Sequence, residues 1–376
     1  MTFKFTSINT NAPLLGEGFS AASDRQRGCV YVHGGMNPNP MRDSNQRPCS
    51  TLRKYDPERN IWTKVAAGTD GKSPELARHC MIVHDRLLYL VGGFDGRSRT
   101  HAIWICDPRS PPETGWRRGN IKGFPRGGGL SSHTATPMKA NGRFGAVVTG
   151  RLGGTRTQRR NATVMEVKEI DSDTFEYSDC ASGATIASRS GHTATPVDGG
   201  RRLLVIGGRQ ESALGLDYEF ITPAPLESAR SKLDCSEQTK FQSRRDSIKH
   251  SASTNSLQST IHSAPKSCRQ HIAFPSQTPK DAIFIHGGIG FNALRNEPLA
   301  ELYVLRPKNK DNQGSFSEWT KLKPIGCPAL YGHSAVLVDN AVFIVGGIGA
   351  KGYENSNVYR VDQIDENANF ESASGR

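Results

Sequence analysis

The chain has 376 residues, with 39 glycines, 22% charged residues and a formal net charge of +12, a balance that excludes a disordered polyelectrolyte and suits a folded β-rich protein with many turns. No run of 18 apolar residues occurs and no apolar stretch follows a basic start between Met1 and Thr10, so neither a membrane span nor a signal peptide is expected. The eight cysteines are scattered, with no C-x-x-C pair and no histidine at metal-ligand spacing, which predicts small buried hydrophobes in a reducing compartment, cytoplasmic and also nuclear.

In chain order, the first element is a short strand at residues 3 to 8. Its Phe5-Thr6-Ser7-Ile8 matches Trp62-Thr63-Lys64-Val65 and Trp319-Thr320-Lys321-Leu322, and it precedes the first repeat as they precede theirs. Strand pairs ending in Gly-Gly then recur: Val30 to Gly35, Leu88 to Gly93, Leu204 to Gly208, Ile283 to Gly288 and Val342 to Gly347, with a sixth copy, Ala146 to Arg151, that keeps only the first glycine. The first glycines, Gly34, Gly92, Gly150, Gly207, Gly287 and Gly346, lie 57 to 59 residues apart except for 80 between Gly207 and Gly287. A period of that size marks a repeat architecture. The long interval contains residues 223–269, which carry eight Lys or Arg against four Asp or Glu and few aromatics, and is expected to be a disordered insertion.

His79, His133, His192, His271 and His333 open the strand pair in five copies; in the first, Phe19 and Ser20 stand where an arginine and the histidine are expected. After the glycines, Tyr55 leads to Trp62, Ile105 to Trp116, Ile170 to Phe175 or Tyr177, and Tyr303 to Trp319. Each unit reads as four short strands, one blade of a propeller. The last copy stops after Asp362 with no following tryptophan, so residues 3 to 8 are expected to complete it and close the ring. The fold class is therefore all-β, a six-bladed propeller over residues 1–365 with a flexible tail at 366–376.

The double glycine followed by Tyr and then Trp resembles the kelch repeat, and the resemblance spans nearly the whole chain. It implies a non-catalytic interaction module or scaffold, monomeric, without cofactor. By the same resemblance, loops after the second strand and before the first hold partners through Arg and Ser. Arg151, Arg156, Arg159, Arg160, Arg189, Ser190 and Arg209 are then the partner-binding candidates, on the rim of blades three and four, since a guanidinium grips a carboxylate with two hydrogen bonds. The alternative is a solvated basic loop, or one arginine bracing blades three and four. The implied partner is an acidic or phosphorylated protein segment, with a cyclin as one candidate.

Three other readings stay open. A substrate receptor of a cullin-type ubiquitin ligase is one, although no BTB domain and no convincing adaptor box are found. A sugar- or metal-dependent propeller enzyme is another, although recurring histidines at one repeat position are better explained as equivalent packing sites. Nucleic acid is disfavoured because about a third of the excess charge falls in the insertion. Within that insertion, Arg244-Arg245-Asp246-Ser247 suits a basophilic kinase, and phosphate on Ser247 would reduce the basic field.

Overall fold

The computed structural model describes residues 2–364 apart from 9–11, 37–46, 66–72, 112–113, 139, 141, 152–161, 181–188, 198–199, 201, 209–217, 222–267, 270, 276–281, 293–294 and 308–315. Of the insertion, only Cys268–Arg269 is described, and it departs from the disorder expected there: it forms a short strand on Ile289–Asn292, which pairs in turn with Arg295–Pro298. The rest of the insertion, with Ser247, and the tail lie outside the described residues.

Alternating β-branched and aromatic residues between tight turns form antiparallel strands, and six sheets carry the architecture. The first blade is Ser20–Asp24, Cys29–His33, Leu52–Asp56 and Ile61–Lys64; the second is Cys80–His84, Leu87–Phe94, Arg99–Cys106 and Trp116–Arg118. The third is Thr134–Pro137, Gly145–Arg151, Ala162–Asp171 and Thr174–Asp179. The fourth shows three strands among the described residues, Thr193–Val197, Arg202–Ile206 and Tyr218–Ile221. Ile272–Pro275, Ile283–His286, Leu302–Pro307 and Phe316–Leu322 form the fifth. The sixth is Ser334–Val338, Ala341–Val345 and Val358–Ile364, with Thr2–Ile8 as its outer strand in register from Thr2↔Ile364 to Ile8↔Val358.

The first strands of successive blades touch one another in order, and Ser334–Val338 touches Ser20–Asp24. The core follows this ring, because a sheet buried on both faces must pack against a neighbour on each side. Each of the six seams holds its own apolar cluster. Tyr89, Phe144 and Phe175 fill the seam between blades two and three, Val147, Val164 and Leu203 that between three and four, and Trp319 with Leu204 that between four and five. Phe3 and Phe5 from the N-terminal strand join Phe284 and Ile344 between blades five and six. The aromatics are packing elements: Tyr55 lies 4.9 Å from Trp62, and the His33 ring 5.3 Å from Trp116.

Two outer edges, those of blades three and six, are covered by linkers. Asn120–Lys122, just after blade two, runs parallel to Thr174–Asp179 as a fifth strand of blade three. Ile325 caps the N-terminal strand through Phe5 N–H to its carbonyl and its own N–H to Phe3 O, both at 2.8 Å. An exposed strand edge, which would template aggregation, is thereby blunted.

The Gly-Gly pair shapes the inner end of each blade. Gly92 and Gly93 sit at φ of 61° and 113°, and a Cβ on Gly92 would lie 2.9 Å from His133 Cε1 of the next blade. A side chain there is excluded both by the left-handed backbone and by the neighbour. Blade three differs, because a side-chain-bearing residue at the second position disfavours that turn by about 1 to 2 kcal/mol. Pairing instead continues through Gly150↔Thr163 and Arg151↔Ala162.

The same contact corrects the alignment of the first repeat. A Cβ on Gly346 would meet the Phe19 ring at 2.7 Å, as one on Gly287 would meet His333 at 2.7 Å. Phe19, not Ser20, occupies the histidine position. Gly18 then matches Arg78, Ser132, Gly191 and Gly332, all at positive φ.

Candidate functional site

Of the candidate rim residues, Arg156, Arg159, Arg160 and Arg209 lie outside the described residues. Arg151 ends the strand Gly145–Arg151. Ser190, which precedes the first strand of blade four, is partly exposed. Arg189 is a correction. It is fully buried, among the largest side chains with no exposure, and its guanidinium donates to Gly207 O at 3.0 Å. It ties the start of blade four to the end of that blade's second strand and is not available to a partner at the rim. Replacing it with methionine should lower stability by about 1 to 3 kcal/mol by leaving a buried carbonyl without its donor. Thermal melting checks this, and unchanged stability would restore Arg189 to the rim.

The histidines form an inner, buried set. His33 Nδ1 and His79 Nε2 share a proton at 3.2 Å, as do His286 Nδ1 and His333 Nε2 at 2.9 Å. His192 and His271 meet the hydroxyls of Thr134 and Thr193 at 3.1 Å. Burial pushes His33 and His192 down to about 3, His133, His271 and His286 to about 4, and His79 and His333 well below 6.5. For His192, the Arg189 guanidinium adds a smaller push in the same direction. These rings are neutral, buried spacers at neutral pH. No three His, Cys, Asp or Glu side chains among the described residues converge as a metal site.

Sequence reasoning did not find a cleft of about 600 Å³ beside blade two, lined by Arg47, Glu75, Asp95, Arg97, Trp104 and Arg118 among others. Arg47 comes from the connection between the second and third strands of blade one, Glu75 from the linker that follows that blade, Asp95 and Arg97 from the turn after the second strand of blade two, and the last two from that blade's outer strands. Asp95 Oδ1 accepts the N–H groups of Arg97 and Ser98 at 2.8 and 2.7 Å, which fixes the turn. Trp104 and Arg118 are directly opposed across the two strands and therefore share a face. Arg47, Arg97 and Arg118 are exposed, and none forms an ion pair with a described residue.

A family model for the kelch motif matches residues 20–68, covering the first blade. Kelch domain-containing protein 9 of Homo sapiens is 30% identical over 200 residues, 52% of this chain and 54% of that protein. The chain thus carries a kelch motif in its first blade and is similar to kelch-domain proteins. It is also similar to Kelch domain-containing protein 2 of Homo sapiens, at 26% identity over 228 residues, 56% of this chain and 54% of that one. It thus spans about half the length of these curated relatives. Its fold is shared with the solved structure of YjhT, at a TM-score of 0.57 and 13% identity over 95% of this chain and 97% of that one. No helix among the described residues is long and apolar enough to cross a membrane.

Proposed function

We propose that this kelch propeller is a non-catalytic interaction module that takes an acidic or phosphorylated segment of a protein partner on the rim of blades three and four. The coarse part of this reading, a propeller that binds proteins, follows from the kelch motif and the kelch relatives. The finer part is carried by one feature of blade three. Its second strand, Gly145–Arg151, stays paired through the position at which blade two bends at its double glycine. The segment bearing Arg156, Arg159 and Arg160 follows directly from Arg151 in the chain, and Ser190 opens the neighbouring blade. Guanidinium forks suit carboxylate or phosphate oxygens. A cyclin carrying an acidic segment is one such partner, in a cytoplasmic or nuclear setting.

The test is affinity purification of the wild type beside Arg159→Glu with Arg160→Glu. Acidic partners should fall at least tenfold, about 1.4 kcal/mol of binding, while the melting temperature stays constant. Recovery of every partner at wild-type level removes the site.

A further inference from the structure

The cleft beside blade two joins three cationic side chains that the chain keeps far apart: Arg47, Arg97 and Arg118. Its volume of about 600 Å³ lies within the range of about 300–1,000 Å³ usual for pockets that enclose small ligands. That is room for a few side chains, not for a folded domain. One carboxylate in it, Asp95, is engaged with turn N–H groups, while Glu75 is exposed on the wall. Trp104 is half-buried beside Arg118 and supplies a flat apolar surface next to the charge.

We propose that this cleft is a peptide-docking site for a short carboxylate-rich segment of a protein partner, gripped by Arg97 and Arg118, with Arg47 at its edge and an apolar side chain laid on Trp104. The inference deepens the interaction reading above and rests on it, but assigns the contact to different residues. Carboxylate forks match guanidinium geometry in pairs, and aromatic and arginine side chains recur together as interface anchors. Glu75 and Asp95 disfavour a continuous phosphodiester backbone, which must pass close to every wall. The same two acids leave room for isolated carboxylates placed against the arginines.

The experiment uses the full chain and a fluorescein-labelled octapeptide rich in Glu and Leu, read by anisotropy at physiological salt, with a Gln-for-Glu peptide and a single-stranded oligonucleotide of equal charge as competitors. Arg97→Glu with Arg118→Glu should weaken the Glu peptide at least tenfold. Glu75→Gln should tighten it two- to threefold, by removing a repulsive neighbour. A charge-matched control, Arg59→Glu with Arg109→Glu, alters exposed arginines paired with Asp56 and Asp107 at the opposite strand ends and should change affinity less than twofold. Peptide should also shift the tryptophan emission of the wild type but not of Trp104→Phe.

Equal weakening by the cleft pair and the control pair, no preference for Glu over Gln, or tighter oligonucleotide binding would overturn the proposal. Arg159→Glu with Arg160→Glu is run in the same assay. If that pair abolishes binding and the cleft pair does not, the acidic segment belongs to blades three and four and the cleft alone is refuted. If neither pair matters, both readings fail.

Discussion

Acidification from pH 7 to pH 5 should unfold this protein, with a midpoint above pH 5. Seven histidines, His33, His79, His133, His192, His271, His286 and His333, are buried with their titration pushed down from 6.5, five of them to about 3 or 4, chiefly by removal from water. Above pH 6.5 the folded and unfolded chains both carry these rings neutral, so they add no pH dependence. Below it the unfolded chain binds protons that the folded chain refuses, and stability falls as pH drops, until the folded values near 3 to 4 are reached.

By pH 5 each of the five rings pushed down to about 3 or 4 contributes a loss of roughly 2 kcal/mol. The set therefore rivals a whole domain's stability of about 5–15 kcal/mol. Circular dichroism against pH measures the midpoint. Phe19 already fills the histidine position in blade one, so His133→Phe is a tolerable substitution that should shift the midpoint to lower pH and flatten the transition by about one proton. A wild type still folded at pH 5 would show that these rings are reached by water or protonated in place.

Removal of the N-terminal strand should have an effect of similar size. Thr2–Ile8 forms seven consecutive pairs with Val358–Ile364, and it buries Phe3 and Phe5 to 6% and 4% exposure. The Phe3 ring packs edge-on against Phe284 at 4.7 Å, and Phe5 lies 5.1 Å from the His286 ring. Loss of one buried phenylalanine costs about 3–5 kcal/mol, and deletion of Met1 to Thr10 removes both together with a whole ladder of hydrogen bonds. The edge of Val358–Ile364 would then be open to pairing with other chains. We expect a melting temperature lower by more than 10 °C and concentration-dependent aggregation. Phe3→Ala with Phe5→Ala, which keeps the strand, should lower it by a smaller amount. A truncated chain that melts with the wild type would show that the sixth blade does not need its outer strand.

The repeat was legible because its demands are local. A backbone turn at positive φ beside a neighbouring ring admits glycine and little else, so Gly34, Gly92, Gly207, Gly287 and Gly346 carry the period in plain view. The N-terminal strand was legible for the same reason, since Phe5-Thr6-Ser7-Ile8 repeats a strand pattern found elsewhere in the chain. The first copy was misread by one residue because Gly18 and Arg78 meet the same backbone requirement with different side chains. Residue identity hides that equivalence, and φ reveals it.

The candidate site was much less legible. Arg189 looked like a rim contact because it precedes the first strand of blade four, in the kind of loop that the kelch resemblance points to; the carbonyl of Gly207 and the packing around it decide otherwise. Arg47, Arg97 and Arg118 carry no shared motif, and their proximity exists only because blade one lies against blade two. The sequence by itself determined the double-glycine repeat, its strands and the strand that completes the last blade, since these follow from short-range backbone geometry. Only the tertiary structure decided which charges are buried, which are paired and which face a common cleft, because burial and proximity depend on the packing between blades.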